Sequence, residues 1–166
     1  MLISLPIEIK VREFYNKLLL AYKVLDQTQH EILIGEKYKV YNIFKKNKNI
    51  LLISKGGPEK NFFIKKKIAN NKLMLLDEEG PVINFQNYVF ENRISNKIFN
   101  IIDEYIFWGK KDYFYIKKKI KKTKIKVLGH PKFDTCKKPY IDIYKDEILK
   151  IKKRYKRFIL FSSSFG

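Results

Sequence analysis

The sequence predicts an α/β protein built on a doubly wound, mostly parallel sheet. Short apolar runs alternate along the whole chain with longer segments whose apolar residues recur at three- and four-residue spacing. The first run, Leu2 to Ile7, passes at once into such a segment, as an open α/β sheet begins. No repeat period and no low-complexity linker interrupts the alternation.

In chain order, Leu2, Ile3, Leu5 and Ile7 form the first strand, with one proline among them. Val11, Phe14, Leu18, Leu19, Tyr22 and Leu25 then form one face of an amphipathic helix. Glu31 to Glu36, centred on Ile32, Leu33 and Ile34, is the second strand, and Tyr38 to Lys46 a short helix. Ile50 to Ser54 is the third strand, closed by Gly56, Gly57 and Pro58. Asn61 to Asn70 has helical spacing through Phe62, Ile64 and Ile68, and Leu73 to Leu76 is the fourth strand. Asn84 to Ile102 is helical in part, with Phe90, Ile94, Ile98 and Ile101 inward. Tyr105 to Trp108 is the fifth strand, Lys111 to Ile120 a helix, and Ile125 to Leu128 the sixth strand. Tyr144 to Arg157 reads as a long helix with Ile148, Ile151 and Tyr155 on one side, and Phe158 to Phe161 as a last strand. A final strand followed by SSSFG has the pattern of a chain about to enter a loop, which suggests a partial product with its second half absent.

A chain of 166 residues suits one domain, and 45% hydrophobic content is enough to build a core. No run approaches the roughly 20 apolar residues of a membrane span, and the start lacks the pattern of a signal peptide. Cys136 is the single cysteine, which excludes an internal disulfide and a cysteine-based zinc site. A cytoplasmic protein, with peripheral attachment at the inner membrane left open, is the simplest expectation. The formal charge of +19 invites a nucleic-acid partner. That reading is discounted, because the excess is lysine spread over nearly every predicted helix, alongside the isoleucine, asparagine, tyrosine and phenylalanine of an AT-rich coding sequence. Arginine, the better residue for planar phosphate recognition, occurs only at positions 12, 93, 154 and 157. Lys117 to Lys126 is the best candidate for a basic face toward anionic membrane.

Strand ends carry the candidate chemistry, because open α/β sheets bind ligands beyond the carboxyl ends of their strands. Glu8, Lys10 and Arg12 follow the first strand; a solvated first turn is the commoner role for such a run, but two basic residues sit poorly with a helix dipole there, which moves the balance toward a binding role. Asp77, Glu78 and Glu79 follow the fourth strand ahead of Gly80; crowded carboxylates oppose one another's ionisation, which suits a general base. An ordinary acidic turn explains them equally well. Trp108 closes the fifth strand, where a core position is the commoner role, and His130 lies between Gly129 and Pro131 at the end of the sixth, placed to donate to an anion or shuttle a proton. No GxGxxG or GxxxxGK loop is present, which disfavours dinucleotide and P-loop enzymes, epimerases included.

Taken in order, LPIEIKVREFYNKLLLA, DEEG, FWGK and GHPKFD resemble the bacterial surface carbohydrate biosynthesis proteins. Those are glycosyltransferase-like proteins of the two-domain GT-B type, distantly similar to the CDP-glycerol glycerophosphotransferases. The resemblance implies a Rossmann-like acceptor-side domain over residues 1–157, the amino-terminal half of a GT-B fold. Residues 158–166 would begin the crossing into a missing donor domain. It implies a glycan or lipid-linked acceptor at this half, a nucleotide-activated sugar in the absent half, no cofactor in this chain and no metal. Position by position, Glu8, Lys10 and Arg12, then Asp77, Glu78 and Glu79, then His130, Lys132 and Asp134 would line the cleft, with Gly80 and Trp108 beside them. Arginine is frequent in the family where Lys132 stands, so a bidentate anion contact is in doubt there. The resemblance establishes no catalytic base; Glu79 and Glu8 are the candidates. The alternative is a non-catalytic basic module for nucleic acid or an anionic membrane surface.

Overall fold

The computed structural model describes residues 1–55, 70–78, 98–117 and 124–161. Six strands form one sheet: β1 (Leu2–Ile7), β2 (Glu31–Glu36), β3 (Ile50–Ser54), β4 (Lys72–Leu76), β5 (Glu104–Phe107) and β6 (Lys124–Val127). Their order is β2-β1-β3-β4-β5-β6, and every neighbouring pair is parallel. The helices are α1 (Lys10–Gln27), α2 (Lys37–Lys46), α3 (Lys110–Lys117), α4 (Pro131–Asp134) and α5 (Lys145–Tyr155), with 3-10 turns at Ile98–Asn100 and Tyr140–Tyr144. This is the predicted Rossmann-like α/β class. The helix predicted over 61–70 lies outside the described residues except for its last, and so does most of the segment predicted over 84–102.

Alternation along the strands sorts the apolar residues onto two faces. On one, Ile50, Leu52, Leu73, Leu75, Tyr105 and Phe107 pack under α2, through Val40, Tyr41 and Phe44, and under Ile98 to Ile102. On the other, Ile3, Leu5, Ile53 and Leu76 meet Ala21 of α1, with Leu20, Val24, Met74 and Ile106 partly buried around them. Pro6 fits this central strand because pairing of β1 with β3 ends at Ser4, beyond which no neighbour on that side requires its missing N–H.

Two expectations are corrected. The inward side of α1 is Glu13, Asn16, Lys17 and Ala21. Of the predicted face, Val11 is 91% exposed, and Leu18, Tyr22 and Leu25 stand in solvent. The helix begins over the charged ends of the strands, so its first turns turn ionic and polar groups inward. Only its second half lays apolar side chains on the sheet. The other correction concerns residues 158–161, which form no strand: among the described residues the sheet ends at β6, and Phe158, Ile159, Leu160 and Phe161 are all exposed. The helix predicted before them over 144–157 is present as α5, preceded by the 3-10 turn; it ends at Lys156 in the left-handed region (φ 53°) and buries none of its residues.

Candidate functional site at the carboxyl edge of the sheet

Strand order reverses at β1, which has β2 on one side and β3 on the other. The crevice between the carboxyl ends of β1 and β3 is therefore the topological switch point, where open α/β sheets bind ligands. Glu8 follows β1 and Lys55 follows β3, and the two form an ion pair across that crevice. Lys37, the first residue after β2, reaches the same carboxylate at 2.9 Å. Hydrogen bonds from Lys55 and Lys37 hold the Glu8 carboxyl down to about 2. Its backbone N–H donates to Glu13 Oε2 at 3.0 Å, and that of Ile9 to Oε1 at 3.3 Å. Glu13 thus ties down amides at the start of α1 in the manner of a capping box.

From Glu13 the array continues inward. Lys17 Nζ lies 2.7 Å from Glu13 Oε2, donates to the carbonyl of Pro6 and sits 3.7 Å from Glu78 Oε1. Glu78 Oε2 accepts a long hydrogen bond of 3.5 Å from Asn16 Nδ2 and lies 3.3 Å from His130 Nε2, in electrostatic contact without hydrogen-bond alignment. Burial acts to raise the Glu13 carboxyl and is the largest single influence on it. The Lys17 and Glu8 hydrogen bonds, with the charges of Lys17 and Lys55, together outweigh it, so the group titrates below the usual glutamate range. Glu8, Lys55, Glu13, Lys17, Glu78 and His130 therefore form a chain of polar contacts from the end of β1 to the end of β6. Such an arrangement is costly to desolvate, and its value lies in fixing geometry more than in raw stability.

The β5 and β6 ends complete the rim. Trp108 donates its indole N–H to the carbonyl of Asp77. Lys132 Nζ lies 4.0 Å from the centre of the Trp108 ring and donates to the carbonyl of Glu78 at 2.8 Å. Phe133 meets the indole edge-on at 5.1 Å. Gly129 turns the chain here with φ +83°, a conformation that L side chains rarely adopt, and so brings His130 under the rim. His130 Nδ1 accepts the Lys132 N–H at 3.1 Å and caps α4. An acceptor nitrogen carries no proton, so we assign the proton to Nε2, facing Glu78. Nδ1 is thereby engaged, while the buried Nε2 faces Glu78 at 3.3 Å without a hydrogen bond to it.

Of the residues singled out in the sequence, Glu8, Asp77, Glu78, Trp108, His130 and Lys132 come together at this edge. Lys10 and Arg12 stand exposed on the first turn of α1, Lys10 beside the ring of Phe14 at 5.8 Å. Asp134 is exposed and pairs with Lys137 at 2.9 Å. Glu79 and Gly80 lie outside the described residues. Glu13, Asn16, Lys17, Lys37 and Lys55 were missed. Glu13 and Lys17 read as an ordinary surface pair at four-residue spacing; the available signal was that they share a helical stripe with Ala21 and Val24.

Below the rim, on the α1 side, a cavity of about 200 Å³ opens between Leu20, Ile53, Met74, Leu76, Ile106 and His130. Among the described residues no three histidine, cysteine or acidic side chains group as metal ligands, and no helix is long and apolar enough to cross a membrane. Comparison with protein-family models, with curated proteins and with solved structures finds no match to this chain.

Proposed function

We propose that the chain is the acceptor-side half of a glycosyltransferase-like protein of bacterial surface polysaccharide biosynthesis. Its carboxyl-edge rim would bind a glycan or lipid-linked acceptor, while a nucleotide-activated sugar is held by a second half not contained in this chain. The observation that carries this reading is the convergence of charged and aromatic side chains from all six strand ends on one edge, spanning the switch point. Glu8, Lys37 and Lys55 suit hydrogen bonding to sugar hydroxyls, and Trp108 with Lys132 forms the wall on the far side.

In the proposed reaction an acceptor hydroxyl oxygen bonds to the anomeric carbon as the bond from that carbon to the nucleoside diphosphate breaks, and the hydroxyl proton passes to a base. Glu8, with its carboxyl near 2, is a feeble base and serves to position. His130 accepts the Lys132 N–H at Nδ1 and carries its proton on Nε2, so it offers no free lone pair as a base. Glu79 is therefore the proposed proton acceptor.

Trp108 is the single tryptophan of the chain, so its emission reports on this rim alone. Titration with oligosaccharide repeat units of bacterial surface glycans should shift that emission saturably, with Lys55→Ala weakening binding about tenfold, the loss of one charge-assisted hydrogen bond. Nucleotide sugars should leave it unchanged. Emission that ignores every glycan, or answers equally in Lys55→Ala, contradicts the reading.

A further inference from the structure

We propose that α5 and the segment that follows it, residues 145–161, form an interfacial element that binds an anionic membrane surface. The helix buries none of its residues, and beyond it Ile159, Leu160 and Phe161 are 98%, 79% and 88% exposed. A soluble surface seldom leaves consecutive large apolar side chains in water without a partner. What surrounds them identifies that partner. Residues 145–157 carry seven basic and two acidic side chains, a net charge of +5, with Asp146 and Glu147 in the first turn and the basic residues crowding toward the apolar end. A basic helix leading into exposed apolar side chains is the pattern of an element that lies in the headgroup region, lysine and arginine toward lipid phosphates and apolar groups toward the acyl boundary.

The competing occupants account for half of the pattern each. A nucleic-acid backbone would use the charge and leave Ile159 to Phe161 in water. A second copy would cover the apolar groups but bring two like-charged segments together. Anionic lipid satisfies both. The element is also oriented: the turn before α5 is fastened to α1 by Tyr144, edge-on to Tyr15 at 5.6 Å, and by Tyr140, beneath Lys23 at 5.6 Å. A membrane bound there would lie on the α1 side of the sheet. The second half of the glycosyltransferase reading would likewise cover the apolar groups, but it leaves the basic charge of α5 unaccounted for, and the inference does not rest on that reading.

The test is co-sedimentation of the full chain with vesicles of phosphatidylcholine alone and of phosphatidylcholine containing phosphatidylglycerol, at low and at physiological salt. Binding to the anionic vesicles only is expected. It should fall roughly tenfold or more both in Ile159→Ser/Leu160→Ser/Phe161→Ser and in Lys152→Gln/Lys153→Gln/Arg154→Gln. These side chains are exposed, so circular dichroism should show both variants folded. Failure of the chain to sediment with anionic vesicles overturns the proposal. Undiminished sedimentation of the apolar variant does so too, since it leaves bulk charge as the cause, as does an apolar variant that only converts a dimer to a monomer in light scattering.

Discussion

The two faces of the sheet differ in kind. Under α2 the packing is closed: Phe44, Leu52, Leu75, Ile98 and Tyr105 are almost completely buried. Under α1 the apolar cluster is smaller, a cavity remains beside it, and the carboxyl end is occupied by the buried ionic array of Glu13, Lys17 and Glu78, with the His130 ring beside it. Leucine in place of those charges would be cheaper to bury. The difference teaches a division of labour: one face holds the fold together, and the other forgoes close packing to keep polar groups at a strand edge.

Substitutions sharpen or break that division. The largest effect is expected on the closed face, where Phe44→Ala should cost about 3–5 kcal/mol in urea unfolding. Next comes the ionic array. Lys17→Met leaves two buried carboxylates short of a counter-charge and should cost about 3 kcal/mol, whereas Glu13→Leu combined with Lys17→Met should cost less than the single changes summed. A double-mutant cycle in which the costs simply add would show that the array is not coupled.

Cavity filling discriminates the faces directly. Leu75→Phe should lose about 1–3 kcal/mol to overpacking, while Ile106→Phe, which borders the open space, should change stability by less than about 1 kcal/mol. Equal costs would mean that the α1 side is as tightly filled as the other.

Smaller again is the acid response. The Glu8 carboxyl titrates lower in the folded chain, at about 2, than its ordinary value of 4.5, and Glu13 is shifted in the same direction. The Glu8 contribution is therefore complete above about pH 4.5 and is lost as pH falls toward 2, and that of Glu13 is likewise lost on acidification. Since the Glu8 side chain is 38% exposed, solvent screening keeps its share to well under about 1 kcal/mol. Glu8→Gln should flatten the stability profile slightly between those two pH values, and an unchanged slope would count against the Lys37 and Lys55 contacts. Least of all, Leu18→Ser on the outer side of α1 should fall within about 0.5 kcal/mol of the parent.

The inner strands were legible because a strand inside a wholly parallel sheet is buried on both faces and leaves a compact apolar run such as Ile50 to Ser54, and the edge strands β2 and β6 by their shorter apolar cores between helical segments. The faces of α1 were not. Val11, Leu18, Tyr22 and Leu25 keep a helical period as well as Glu13, Lys17, Ala21 and Val24 do, and periodicity cannot tell which stripe meets a sheet whose edge is itself charged. The site was half legible for the same reason. Residues directly after strands, Glu8 and Glu78 among them, could be placed by topology alone. Lys55 passed as a generic lysine, because only the strand order reveals that β3 ends beside β1. Phe158 to Phe161 has the composition of a strand, but a strand needs a neighbour, and among the described residues these four pair with none while β6 pairs with β5 alone.

The claim that the α1 side carries the binding edge is tested most directly by methyl-labelled NMR of the chain during titration with a surface-glycan oligosaccharide. The account predicts that Ile53, Leu76 and Ile106 methyl signals move in a saturable way while those of Leu52, Leu75 and Ile98 stay in place. Shifts confined to the second set, or spread evenly over both, would contradict it.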